Sequence, residues 1–410
     1  MKKIGILGAG LTGLSVAAKL DSLGYDTTIF EKESRIGGLC KTDNINGYTY
    51  DLHGGHVFNS KFSNVKDWVF EHLPKNEWEY SVRDSRIQYN NHEISYPFEL
   101  SLSELPVEEA VTCIIDYISE KGAKPDNFYE WLIWKFGESI ANKYMIPYNS
   151  KIWGCDLHEL SIDWVDGKMP IPSNEEILKA ALTKDYSERN MPHSTFYYPQ
   201  VNGIESLIKK ISKNLTKINL SYNIERIWHN GKSWVINDIS GFDQIIWTIP
   251  LPFVSNLIVD TPLDVSMASQ NLRWNSITTF LFKSDSKSTV SWKYFPNKEL
   301  PYHRVVYQGN LADKTCPPGN GSYTVEMIGK HKPEELKNYF PLENFLGHSF
   351  TEYAYVLYDL KHSTNVQKIT KYLNSIGIIP LGRFGEWQYY NMDVCIKRAI
   401  DCASHINLHE

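Results

Sequence analysis

The sequence has no CxxC pair. Its six cysteines, Cys40, Cys113, Cys155, Cys316, Cys395 and Cys402, are scattered. That spacing speaks against a disulfide framework and a zinc site, and for reduced thiols in a cytoplasm. No apolar stretch approaches membrane-spanning length. The apolar run after Met1-Lys2-Lys3 is too short for a secretory signal and leads straight into a glycine turn, so it reads as a strand. There is no basic tract, and the formal net charge is −6, which argues against nucleic-acid binding. No internal repeat or low-complexity linker divides the 410 residues, a length sufficient for two or three domains. Aromatics, by contrast, are plentiful: 12 Trp and 25 Tyr suit both large cores and pockets that stack flat ligands.

The chain is organised around its first forty residues. Ile4 to Leu7 predicts a buried strand, Gly8-Ala9-Gly10-Leu11-Thr12-Gly13 a turn, Leu14 to Leu23 a helix, and Tyr25 to Phe30 a second strand ending on Glu31. Gly8 permits the tight turn, Gly10 lets a pyrophosphate approach the backbone, and Gly13 lets helix and strand pack closely. The N–H groups at the helix start face phosphates. Glu31 is placed to accept hydrogen bonds from ribose hydroxyls. Gly37-Gly38, after Arg35, forms a second glycine turn, as a dinucleotide longer than NAD would use.

Further along, Tyr48 to Leu52 reads as a strand and His53-Gly54-Gly55-His56 as backbone lying against something flat. Ile87 to Ile94 reads as a hairpin turning at Asn90-Asn91. From Leu100 to about Lys184 the apolar spacing is helical, with Leu105 to Ile118 and Phe128 to Tyr144 as the clearest stretches. Leu220 to Ile227, Trp234 to Ile236 and Ile245 to Ile249 read as strands that return to the first sheet. Ser276 to Tyr358 reads as a separate antiparallel sheet, and Asp393 to His405 as a last helix capped by Asp393.

The fold class is therefore α/β: a discontinuous Rossmann-like domain over residues 1–98, 195–265 and 372–410, a helical insertion over 99–194 and an antiparallel-sheet insertion over 266–371. The cofactor lies where the insertions meet, with the substrate between them.

Several stretches, in order and over nearly the whole chain, resemble one family. Gly8 to Gly13, Glu31, Gly37-Gly38 and Gly382-Arg383 with Asn391-Met392-Asp393 resemble the flavin amine oxidase and protoporphyrinogen oxidase superfamily. Tyr96-Pro97-Phe98, Phe128-Tyr129-Glu130-Trp131, Pro147-Tyr148-Asn149-Ser150-Lys151-Ile152-Trp153, Thr195-Phe196-Tyr197-Tyr198-Pro199 and Tyr294-Phe295-Pro296 with Arg304 resemble UDP-galactopyranose mutases within it. The resemblance implies FAD, active when reduced, with NADH or NADPH as a reductant. Reduced flavin attacks the sugar's anomeric carbon through N5 and displaces the nucleotide, and the sugar returns as a furanose, such as the galactofuranose of polysaccharide biosynthesis.

Carried over residue by residue, the resemblance gives a cofactor set of Gly8, Gly10, Leu11, Thr12, Gly13, Glu31, Lys32, Arg35, Gly38, Leu39, Gly54, Gly55, His56, Ile224, Arg383, Asn391, Met392 and Asp393. It gives a nucleotide-sugar set of Tyr96, Trp131, Tyr148, Asn149, Thr195, Phe196, Tyr294, Arg304 and Tyr389. His56, Arg304 and Arg383 are the expected catalytic residues. An anionic diphosphate calls for arginine, whose planar fork binds phosphate bidentately. If the hairpin centres on Glu299, Tyr294 and Arg304 lie opposite each other on one face.

Three positions depart from the mutases. Ile146 stands before Pro147 where an arginine is usual, His193-Ser194 replaces an asparagine pair, and Glu99 follows Phe98 in place of glutamine. All three bear on which sugar nucleotide is bound. An amine oxidase or dehydrogenase of the same superfamily is the alternative, and would use a lysine near the flavin. Lys293 points away from the face of Tyr294 and Trp292 and does not serve. The sequence leaves a homo-oligomer open.

Overall fold

The glycine turn joins a strand, Lys3–Leu7, to a helix, Leu11–Ser22. In the computed structural model, which describes residues 2–165, 168–183 and 194–408, this strand is the middle of a five-stranded parallel sheet. The order across that sheet is Ile378–Pro380, Gln244–Trp247, Lys3–Leu7, Asp26–Phe30 and Ile218–Asn219. The inner residues of its central strands are buried on both faces, Ile4 to Leu7 and Thr27 to Phe30 alike, as in a sheet covered on both sides. On one face Leu14 and Ala17 of the first helix meet Ile396, Ala399 and Ala403 of the last, Met392–Leu408. On the other, Phe30 and Trp247 pack with Ile236, Phe242, Ile369 and Leu373.

The second face corrects the sequence reading. Leu220 to Glu225 is not a strand, and Trp234–Ile236 does not return to the parallel sheet. It pairs with Ile227–His229 and Ile239–Phe242 in an antiparallel sheet of its own. A short alternating run carries no mark of which sheet it joins. The last helix begins at Met392, so Asp393 lies within its first turn and is not its cap.

The helical insertion holds Val107–Ile118, Phe128–Ile140, a π-turn over Ala141–Met145, then Ile146–Trp153 and Asn174–Thr183. Its core joins Cys113, Tyr117, Phe128, Trp131, Phe136 and Ile140.

The large sheet has seven strands. Their order is Phe345–Leu357, Arg273–Ser284, Gly321–Ile328, Arg304–Val306, Trp292–Tyr294, Ser85–Tyr89 and His92–Ser95. It is neither separate nor wholly antiparallel. The hairpin that turns at Asn90 forms its edge, and Trp292–Tyr294 runs parallel to Ser85–Tyr89. Residues 85–95, placed in the first nucleotide-binding segment from sequence, thus build the opposite wall. The helix His362–Ser375, inside the range assigned to the sheet insertion, packs instead beside Ile378 of the parallel sheet.

Candidate functional site

A cavity of about 450 Å³ opens where the glycine turn, the insertion and the large sheet meet. One end is backbone. Gly10 and Gly38 face each other so closely that a Cβ on Gly38 would stand 3.1 Å from the Gly10 Cα. Gly13 packs under the turn, and a Cβ there would lie 2.0 Å from the Gly8 carbonyl oxygen. Leu11, Thr12, Leu39, Asn391 and Met392 complete this end. Glu31 ties it together: its carboxylate accepts from the N–H of Ala9 at 2.8 Å and of Glu33 at 2.9 Å.

The middle is the His53-Gly54-Gly55-His56 turn, which lies on the large sheet. A Cβ on Gly55 would stand 2.8 Å from Val306, and one on Gly54 would stand 3.0 Å from Glu326 Oε1. The flat object behind the two glycines is therefore the sheet. His56 Nδ1 meets the Gly54 carbonyl at 2.7 Å. A carbonyl only accepts, so Nδ1 carries the proton, and burial lowers the His56 pKa although Asp51 opposes it. The neutral ring leaves Nε2 as an acceptor. Asp51 is wholly buried and accepts from Thr42, Tyr198 and Gln308 at 2.6, 2.8 and 3.2 Å.

The far end is cationic and aromatic. Tyr294 and Arg304 are cross-strand partners, in the register expected from sequence. Glu326, fully buried, binds Arg304 at 2.7 Å. Arg383 lies 4.6 Å over the Tyr389 ring, donates to the carbonyls of Ala354 and Tyr390, and has a buried Nε with no acceptor. Tyr96, Tyr148 and Asn149 also line the cavity. Lys293 faces away and pairs with Glu93.

Some expected residues are elsewhere. Trp131 is buried among Phe128 and Phe136 because its helix turns that face to the insertion core. Thr195 and Phe196 lie on the strand Thr195–Pro199, with Phe196 against Trp292 behind the wall. Arg35 is held by Asp43 at 2.6 Å and lies near Glu205. Lys32 is exposed beside Glu33, and Ile224, half-buried, packs against the core beneath the parallel sheet. Asp393 lies in the first turn of the last helix, next to the wall residue Met392. Ile146 packs on the insertion core, while Met145 beside it and Asn149 one turn on line the cavity. Glu99 is a buried wall residue. His193 lies outside the described residues; the Ser194 carbonyl accepts from the Arg83 N–H.

Sequence reasoning missed Arg83 and Lys168 on the wall and Glu326 behind it. Glu326 had a signal, a lone acid inside the apolar strand around Val325 and Met327. Arg83 and Lys168 stand in connecting stretches where basic residues are ordinary. Lys168 lies 5.0 Å over Tyr389, and burial, with Arg383 nearby, pushes its pKa down to about 8.

A pyrophosphate-linked flat group fits this site. The paired glycine turns leave room at the backbone, and the orphaned Arg383 Nε awaits an acceptor. Residues 6–73 match the family model of the NAD(P)-binding Rossmann-like domain. The chain is 20% identical to the dTDP-fucopyranose mutase of Escherichia coli, over 98% of both proteins. It is 23% identical to the UDP-galactopyranose mutase of Mycoplasma pneumoniae, over 98% of this chain and 95% of that one. A crystal structure of reduced UDP-galactopyranose mutase superposes with a TM-score of 0.89 at 24% identity, covering 100% of this chain and 96% of the other. The fold is that of UDP-galactopyranose mutase. The resemblance read from separate motifs thus extends along the whole chain.

Proposed function

We propose that the protein is a flavin-dependent mutase that interconverts the pyranose and furanose forms of a sugar carried on a nucleoside diphosphate. The observation that carries this reading is the pairing of Tyr294 with Arg304 on a cavity whose other end is the double glycine turn. One end suits a dinucleotide; the other suits an anionic leaving group. Likeness to two pyranose mutases over the whole chain supports the same reading. FAD held at the glycine turns, once reduced by NADH or NADPH, would supply a nucleophile for the sugar's anomeric carbon.

The chain's own residues have distinct tasks in this reading. Gly10, Gly38 and the start of the Leu11–Ser22 helix hold the pyrophosphate of FAD. Glu31 fixes the turn and takes the ribose. Arg383 and the helix start at Met392 would hold the flavin's oxygen-rich side, and His56, neutral, would offer Nε2 as an acceptor to it. Arg304 binds the departing diphosphate, and Tyr96, Tyr148, Asn149 and Tyr389 enclose the sugar and base.

The test is direct. Protein reduced anaerobically with dithionite is mixed with UDP-galactopyranose or dTDP-fucopyranose, and the furanose product is sought by chromatography and NMR. Furanose formation without consumption of an oxidant supports the mutase. The competing reading is an amine oxidase, favoured by Lys168, the one lysine on the described cavity wall. Oxidised enzyme releasing one peroxide per amine consumed would decide for it.

A further inference from the structure

Resting on the flavin of the proposed function, and not on its sugar, we propose that Lys168 balances the negative charge that the flavin gains on reduction, as a fixed cation near neutral pH and by taking up a proton above it. Lys168, between the helices Ile146–Trp153 and Asn174–Thr183, lines the cavity. Its Nζ stands 5.0 Å from the Tyr389 ring centroid, and the Arg383 guanidinium carbon stands 4.6 Å from the same centroid. Two cations thus share one ring. Arg383 donates to the carbonyls of Ala354 and Tyr390 and keeps a buried Nε without an acceptor. Among the described residues, Lys168 Nζ has no hydrogen bond and no ion pair.

The charges that act on Lys168 come from the segment around the last helix. Arg383 disfavours its charge, and Asp393, in that helix's first turn, favours it, with Cys395 close by. The helix start at Met392 adds a positive end of its own. Two cations and a helix start therefore meet one carboxylate, which leaves this corner with a surplus of positive charge. The FAD pyrophosphate, taken by the glycine turns, does not cancel it. Oxidised flavin is neutral, and reduced flavin carries a negative charge on its oxygen-rich ring, so reduction supplies the missing anion. Burial, with Arg383 second, holds the Lys168 pKa at about 8, and a new negative charge beside it raises that value. Near pH 7 Lys168 is charged in both states. Above pH 8 it is neutral beside oxidised flavin and regains its proton on reduction. Hydride from NADH or NADPH brings two electrons and one proton, and solvent delivers the second proton to Lys168 Nζ. Among the cavity's other titratable groups, burial raises Cys395 and Tyr390 and lowers His56, so these three keep their charge between pH 7 and 9.

The experiment titrates FAD-loaded protein with dithionite against a reference dye, without any sugar nucleotide, and reads the flavin reduction equilibrium from absorbance at each pH. At pH 7, Lys168→Met should shift that equilibrium towards oxidised flavin by about tenfold or more, since a charge close to the ring is lost. Lys168→Arg keeps the charge and should stay within about threefold of the parent. Between pH 8 and 9 the parent's equilibrium should fall by clearly more than about tenfold per pH unit, because two protons enter with two electrons. Both variants should fall by about tenfold per unit, for the one proton that remains, since arginine does not give up its own. A side chain that only shaped the pocket would not make lysine and arginine alike at pH 7 and different above pH 8. If Lys168→Met does not hold FAD, the slope of Lys168→Arg decides. A parent slope no steeper than that of Lys168→Arg, or a Lys168→Met equilibrium equal to the parent's at pH 7, overturns the proposal. The expected profile without furanose formation refutes the sugar part of the mutase reading alone. Protein that takes up no FAD refutes both.

Discussion

Glu326 stands directly across the antiparallel pair from Arg304 and takes both its Nε–H and its Nη2 on one oxygen, at 2.7 Å each. The carboxylate is fully buried beneath the His53–His56 turn, and His303 approaches the same oxygen at 3.5 Å. The guanidinium is therefore oriented before any ligand arrives, and part of its charge is already balanced. Such preorganisation lowers the cost of ordering a long side chain on binding.

Burial pushes the Glu326 pKa up, but Arg304 and His303 outweigh it and hold it at about 2 against an ordinary 4.5. The unfolded chain takes up this proton first, so the contribution is present above pH 4.5 and is lost as pH falls towards 2. It amounts to roughly 3 kcal/mol. Urea unfolding between pH 5 and 3 should show a steeper loss in the parent than in Glu326→Gln. At neutral pH that variant should be about 3–5 kcal/mol less stable, because Arg304 is left without its buried counter-charge.

Lys151, on the helix Ile146–Trp153, donates to the carbonyls of Phe295, Asn297 and Tyr302 at 2.8, 2.8 and 2.6 Å. It pins the loop between Tyr294 and Arg304 to the insertion. Lys151→Met should cost about 2 kcal/mol, since three charged hydrogen bonds are lost and only the Asn297 carbonyl is exposed to water in their place. Proteolysis within residues 296–301 should accelerate, and UDP affinity should fall although Lys151 does not line the cavity. Unchanged proteolysis would show that the loop is held by other contacts.

Gly13→Ala should abolish FAD uptake, since the added methyl would sit 2.0 Å from a backbone oxygen that cannot swing aside. Gly122→Ala, where nothing lies within 4 Å, is the control and should remain yellow. Flavin absorbance after gel filtration decides the comparison.

Heat or acid should release intact FAD from the purified protein. Cys40 and Cys395 line the cavity, but burial raises the pKa of both thiols and keeps them from the reactive thiolate form. Flavin that stays on the denatured chain would overturn this expectation.

The cofactor end was legible because its constraints are local. A strand, three glycines, a helix and an acid occupy consecutive positions, and each fixes its neighbour. The Tyr294–Arg304 register was legible for the same reason, since one short hairpin sets it. Pairing between distant segments left no such mark. Nothing near Ser85 reveals that it will lie beside Trp292, or that Trp234–Ile236 will leave the parallel sheet. Arg83 gained its surroundings only through that distant pairing. Which of Met145 and Ile146 lines the cavity was not legible either, because side-chain direction on a helix that follows a π-turn does not follow from the sequence spacing. Ile146→Arg is expected to tighten UDP binding or leave it unchanged, and weaker binding in calorimetry would speak against a diphosphate at this end of the cavity.

The parallel pairing of Ser85–Tyr89 with Trp292–Tyr294 also sets an order of events in synthesis. Ser85 leaves the ribosome long before Trp292 exists, and its hairpin must wait with an unpaired edge. The dinucleotide end waits too, since Ile378–Pro380 and the last helix come from the C-terminal end. No truncation would therefore yield a working half, and cofactor capture belongs to the completed chain. Nascent protein has an exposed strand edge for about half of its translation, since about half of the 410 residues separate Ser85 from Trp292, and that interval is when chaperone binding would matter most.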